Sequence, residues 1–186
     1  MIKSTGATMS TERLDLIPAV NERDSEQYRQ DILRTNDFYF QYGYPYSDEL
    51  FAVVDFLNTD VLYYSVFLKN SPMMVGYVGL TLDEDNPTFG ELEFYIFGDY
   101  RRQGICKEAL TAFIAAFFDG SLTGSKGEQV EAETLSENEA TLQLFKTMGF
   151  QREAIGMRFS LTEDNEVNTQ RTIMVSRYSL SADAHS

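Results

Sequence analysis

The segment Glu91 to Lys107, ELEFYIFGDYRRQGICK, constrains this chain most. An alternating run ends near Phe97, a short turn carries Arg101, Arg102, Gln103 and Gly104, and a helical pattern starts at once. A strand that feeds a helix through so tight a turn is an element of an α/β fold. The turn also points several backbone N–H groups outward together at the positive end of a helix, an anion site suited to phosphate. Gly104 lets the backbone approach a phosphate closely because it has no side chain there. Taken alone, the same four residues are also readable as an ordinary surface turn.

Charge decides what such a site needs. Lys and Arg number 15 and Asp and Glu 29, so the 186-residue chain carries 15 − 29 = −14. A helix dipole contributes only about 0.3–1 kcal/mol, up to ~2 when partly buried. The fan of N–H groups and the two arginines must therefore supply most of the attraction for a diphosphate. The acidic surface argues against nucleic acid and against anionic membranes, and it favours a cationic partner such as an amine.

One cysteine, Cys106, excludes an intrachain disulfide and a thiolate-built zinc site. One histidine, His185, argues against an imidazole triad or a His-rich metal centre, so no metal is expected. The greasy stretch Ala109 to Phe118 falls short of a membrane span, and the first residues, MIKSTGATMSTERL, lack the apolar middle of a signal peptide. A cytoplasmic location is expected.

Periodicity predicts strands over Arg13–Val20, Val61–Leu68, Met73–Leu82, Glu91–Phe97, Val130–Leu135, Arg152–Leu161 and Arg171–Leu180, the last two forming a hairpin. It predicts a helix capped by Asp24 and running to about Leu33, and another opened by Ser47 with Leu50, Phe51, Val54 and Leu57 on one face. A third, Gly104 to Phe118, has Ile105, Ala109, Phe113 and Phe117 spaced by four. Ser136 and Glu139 form a capping box for the last helix, which Gly149 stops in a left-handed conformation. The aromatic stretch Phe38–Tyr46 reads as a loop.

With RRQGICKEAL, the stretch EAETLSENEATLQLFKTMGF (Glu131–Phe150) resembles the GNAT acetyltransferases, and more closely their ribosomal-protein N-terminal (RimJ/RimL-type) branch. Arg101, Gly104 and Cys106 fall on the family's Arg/Gln-x-x-Gly-x-Gly/Ala pyrophosphate motif. Asn138, Thr141 and Lys146–Phe150 fall on its later motif, and Thr11-Glu12-Arg13-Leu14 is similar to the opening of this branch. The resemblance implies a mixed, mostly antiparallel central sheet of about seven strands with flanking helices, the acyl-CoA N-acyltransferase fold. It implies a single acetyltransferase domain over residues 11–180, after a disordered extension (1–10) and before a short tail (181–186).

The implied reaction moves an acetyl group from acetyl-CoA directly to a primary amine: a protein N-terminus, an amino acid or a small amine. That amine must be neutral. At pH 7 this costs about 4.6 kcal/mol for a lysine and about 1.0–1.4 for an α-amino group. By resemblance, Glu91 is the base or amine-binding carboxylate, with Glu93 in reserve; each is also readable as a solvated strand carboxylate. The turn residues Arg101, Arg102, Gln103, Gly104, Ile105, Cys106 and Lys107 would hold the diphosphate. The backbone of Ile96 and Phe97 would pair with the pantetheine arm, and Asn138 would hydrogen-bond it, unless Asn138 merely starts its helix.

Where some members carry a proton-donating Tyr this chain has Phe145. Members of this branch place a hydroxyl three residues after the Asn, so the resemblance makes Thr141 a candidate proton donor or thiol partner, also readable as a helix Thr facing the core. Cys106 replaces the usual Gly or Ala and reads as a packed small side chain, still oxidisable at a helix N-terminus. By resemblance, Tyr39, Tyr42, Tyr44 and Tyr46 lie where the family builds its acceptor pocket, and they are equally readable as cover for a core edge. The competing reading is a catalytically silent acyl-CoA-binding or regulatory domain. A homodimer is open to such a chain, but its sequence does not define the oligomeric state.

Overall fold

A computed structural model describes residues 7–18, 22–35, 37, 61–83, 85–164 and 167–185. The predicted helix at Ser47 and the aromatic stretch Phe38–Tyr46 lie outside them. Eight strands form one sheet: β1 (Met9–Ser10), β2 (Leu14–Pro18), β3 (Val61–Leu68), β4 (Met74–Leu82), β5 (Phe89–Ile96), β6 (Gln129–Leu135), β7 (Gln151–Asp164) and β8 (Val167–Ser181). Their spatial order is β1-β2-β3-β4-β5-β6-β8-β7. Every adjacent pair is antiparallel except β5 with β6. Seven strands match the alternating segments read from sequence; the eighth, β1, is two residues long and brings Met9 against Leu16.

Three described helices flank the sheet: α1 (Glu22–Thr35), α2 (Ile105–Phe118) and α3 (Glu139–Met148). α1 starts two residues before Asp24, so that residue lies inside the helix and does not cap it. In α2 the predicted stripe is the buried one: Ile105, Ala109, Phe113 and Phe117 are each at most 2% exposed. They join Leu14, Leu16, Val66, Val78, Leu80, Val130 and Phe145 in the main core, between the sheet and α2 and α3. Burying one such aliphatic side chain contributes about 1.5–3 kcal/mol. A second cluster, Tyr28, Ile32, Met74, Tyr77, Tyr95 and Phe97, fills the opposite face beneath α1.

β5 therefore serves both layers. Tyr95 and Phe97 sit in the α1-side cluster, while Leu92 and Ile96 sit in the main core. This is the two-faced alternation expected of a central strand.

Ser136 does not cap α3. Its hydroxyl is 2.9 Å from that of Ser176 on β8, and the cap is Asn138, whose side-chain oxygen accepts from the Thr141 amide at 3.2 Å. Gly149 ends α3 at φ 84°, as predicted. Among the described residues no helix is long and apolar enough to cross a membrane.

Candidate functional site

β5 and β6 pair only at Phe89–Gln129, Gly90–Val130 and Glu91–Glu131. Beyond that point β5 continues along β4 to Ile96, and β6 continues along β8 to Leu135. The two strands splay and leave a wedge. The Phe97 amide donates to the Val75 carbonyl at 2.9 Å, so its backbone faces β4. Alternation then directs the backbone groups of Leu92, Phe94 and Ile96 toward the wedge. The wedge opens into a cleft of about 690 Å³, walled by β5, the turn before α2, the first turn of α2, the end of β6 and the start of α3.

The turn is built for a backbone anion site. Arg102 and Gly104 both hold left-handed conformations, φ 60° and 77°. Gly104 caps α2, and the first intrahelical bond runs from the Glu108 amide to the Gly104 carbonyl at 3.0 Å. The amides of Ile105, Cys106 and Lys107 thus have no intrahelical partner. Arg102, Gly104, Ile105, Cys106 and Lys107 all line the cleft; Gln103 does not. Gln103 instead braces the turn, donating to the Asp99 carbonyl at 3.0 Å and accepting from Arg13 Nη1 at 2.9 Å.

Like Gln103, Arg101 and Phe97 depart from the sequence reading, whereas Cys106 packs as read and departs only in its reactivity. Arg101 lines the cleft, but its side chain is spent inward: Nε donates to the Ile96 carbonyl at 2.8 Å and Nη1 pairs with Asp37 Oδ2 at 2.6 Å. Phe97, with its amide on β4, offers no donor to the wedge. Cys106 packs against the main core, and burial pushes its thiol up to about 12, overriding the helix-terminus effect that made it oxidisable on paper.

On the facing wall stand Asn138 and Thr141, both partly buried. Asn138 spends its oxygen on the cap, and among the described residues its NH₂ has no hydrogen-bond partner. Among the described residues the Thr141 hydroxyl has no hydrogen-bond partner. Phe145 is fully buried against Phe94, Phe150 and Tyr178. Phe145 is thus a core residue.

The carboxylates gather on the α1 side of the sheet. Glu91 and Glu93 on β5 and Glu133 on β6 line the cleft, and Glu131 is the register partner of Glu91. Glu91 is exposed. Glu93 is partly buried and accepts from the Tyr63 hydroxyl at 2.9 Å. Burial pushes its carboxyl above the ordinary value; the Tyr63 bond opposes this and the nearby Glu91 charge adds to it. The contact from Tyr63, thirty residues away, had no sequence signal.

The splay of β5 from β6 and the glycine turn at the start of α2 together form one candidate site on a mixed α/β sheet. The family model for the acetyltransferase (GNAT) domain matches residues 13–151. The chain belongs to the GNAT acetyltransferase family. No curated protein matches it. Solved structures similar to it include a probable GNAT-family acetyltransferase from Chromobacterium violaceum, at 18% identity and TM-score 0.78, covering 98% of this chain and 90% of that one. RimL, a ribosomal L7/L12 alpha-N-protein acetyltransferase, aligns at 15% identity and TM-score 0.69 over 94% of each chain. A Salmonella typhimurium acetyl transferase that modifies the N-terminal serine of ribosomal protein L7/L12 aligns at 14% identity and TM-score 0.70, over 95% of this chain and all of that one.

Proposed function

We propose that this acetyltransferase takes acetyl-CoA as donor and a primary amine as acceptor, and that the acceptor is a protein α-amino group. The observation that carries the reading is the splay of β5 from β6 beyond Glu91 and Glu131, next to the turn at Gly104. RimL and the Salmonella enzyme, both described as acting on ribosomal L7/L12, support the choice of acceptor.

Each wall has a task. The amides of Ile105, Cys106 and Lys107, with the cations of Arg102 and Lys107, receive the diphosphate. The free edge at Leu92 and Phe94 pairs with the amides of the pantetheine arm as an added strand. The Phe94 amide is placed to donate to the thioester oxygen as negative charge develops there. The Asn138 amide holds the arm from the other side.

The acceptor enters from the carboxylate face. Its neutral amine attacks the thioester carbonyl carbon; the C–N bond forms, the C–S bond breaks and the thiolate leaves. The proton released from nitrogen goes to a carboxylate. Glu93 is the carboxylate this reading favours over Glu91, because its raised pKa makes it a stronger base near neutral pH. Thr141 donates a hydrogen bond to the departing sulfur, and solvent supplies the proton that completes the thiol. The buried Phe145 favours a second reading, a silent CoA-binding domain.

Thiol release from acetyl-CoA separates the two readings. A peptide with a free N-terminal serine or alanine should give turnover, and its Nα-acetylated form should not. CoA binding without turnover on any amine would transfer the protein to the silent class.

A further inference from the structure

We infer that Arg101 is a positioning residue that shapes the wedge, and not a ligand of the diphosphate. The inference rests on the wedge being the donor site. The Arg101 side chain meets three groups at once. Nε donates to the Ile96 carbonyl at 2.8 Å, Nη1 pairs with Asp37 Oδ2 at 2.6 Å, and Cζ lies 5.0 Å from the centroid of the Tyr95 ring. Tyr95 is held in turn: its hydroxyl is 3.1 Å from Asp31 Oδ2 and 3.1 Å from Thr35 Oγ1. Asp31, itself buried, accepts from the Gly98 amide at 3.0 Å and pairs with Arg34. One network thus ties the end of α1 to the end of β5 and to the start of the turn.

Two consequences follow from this geometry. The Ile96 carbonyl is one of the backbone groups that alternation turns into the wedge, and Arg101 occupies it. A polar arm laid along β5 is left with Leu92, Phe94 and the Ile96 amide, so its register is set before it arrives. The positive charge is also already answered by Asp37 at 2.6 Å, with Asp31 behind Tyr95. A planar guanidinium can hold a carbonyl and a carboxylate in one fixed fork, which a point charge cannot. Arg102 and Lys107 line the same cleft and supply the cations.

The test compares two probes by calorimetry or competition: CoA, which carries both the arm and the diphosphate, and 3′-phospho-ADP, which carries the diphosphate alone. Loss of a charge-assisted hydrogen bond is worth about 1.5–3 kcal/mol, so Arg101→Ala should weaken CoA by about tenfold or more. It should leave 3′-phospho-ADP within about twofold, since the effect runs through the arm. Arg101→Gln keeps a neutral donor for Ile96 and should restore most of the CoA affinity. Asp37→Asn should leave 3′-phospho-ADP unchanged.

Equal weakening of both probes by Arg101→Ala, or by Arg101→Gln should the alanine variant not fold, overturns the positioning role and leaves the donor site standing. Tightening of both probes by Asp37→Asn does the same, because it would mean a freed arginine grips phosphate. A wild-type protein that binds neither probe removes the donor site and this inference together.

Discussion

Arg13, the residue before β2, and Glu108 on α2 are joined at two points: Arg13 Nε and Nη2 each lie 2.6 Å from Glu108 Oε2. Glu108 Oε1 also accepts from the Arg13 amide at 3.0 Å and from the Thr11 hydroxyl. The third nitrogen, Nη1, reaches the Gln103 carbonyl. Arg13 thus locks the N-terminal strand to the helix whose first turn faces the cleft.

This clamp gives a pH signature. Burial opposes ionisation of Glu108, but Thr11 and Arg13 outweigh it and hold its carboxyl below the ordinary value. A depressed carboxyl contributes stability above its unfolded pKa and loses it as pH falls through its folded pKa. Glu108→Gln should therefore lower the melting temperature at pH 7, and the gap to wild type should close in acid as Glu108 is protonated in the native state. Thermal melts across pH check this; a gap that persists in acid would mean the loss is packing, not charge.

Glu93 should behave in the opposite sense. Its carboxyl is raised, so the native state holds a proton more readily than the unfolded chain, and stability falls as pH rises through that window. Glu93→Gln keeps an acceptor for Tyr63 and removes the buried charge. It should raise the melting temperature by a few degrees at pH 8, given about 2–4 °C per kcal/mol for a chain of this size. The gain should shrink as pH falls through the window in which wild-type Glu93 takes up its proton. Turnover should fall at least tenfold with CoA affinity unchanged. Equal loss of turnover and CoA affinity would make Glu93 structural.

Gly104 tests the turn. At φ 77°, Gly104→Ala incurs about 1–2 kcal/mol of backbone strain. Gly104→Asp adds the same strain plus a negative charge, and should weaken CoA at least tenfold beyond the alanine variant. Equal affinities for the two variants would place the diphosphate elsewhere.

Asn138 caps α3 and, in the proposed site, holds the pantetheine arm, and substitution separates the two. Asn138→Ala should lower stability by about 0.5–2 kcal/mol through the lost cap. Asn138→Ser retains a capping oxygen and should keep that stability while still losing CoA affinity, because its NH₂ is gone. Full CoA affinity in the serine variant would reduce Asn138 to a helix cap.

Much of this was legible in the sequence because it is local. Residues spaced by four bury the face of α2, alternation splits β5 between two cores, and Gly149 stops α3. What was not legible depends on partners far along the chain. Ser136 and Glu139 match a capping box, yet Ser136 is drawn to Ser176, forty residues on, and the cap passes to Asn138. Arg101 reads as a phosphate ligand until Asp37 and the Ile96 carbonyl are seen to hold it. Cys106 sits at a helix N-terminus, where a thiol is normally acidified, but the core around it sets its pKa. The limit of three pairs between β5 and β6, which creates the cleft, left no mark in either strand's composition.

The most direct test is a crystal structure of the protein grown with CoA. The account predicts the diphosphate against the amides of Ile105, Cys106 and Lys107, and the pantetheine arm along Leu92 and Phe94 between β5 and β6. CoA bound on another surface, with the wedge closed or filled by the protein's own side chains, would contradict it.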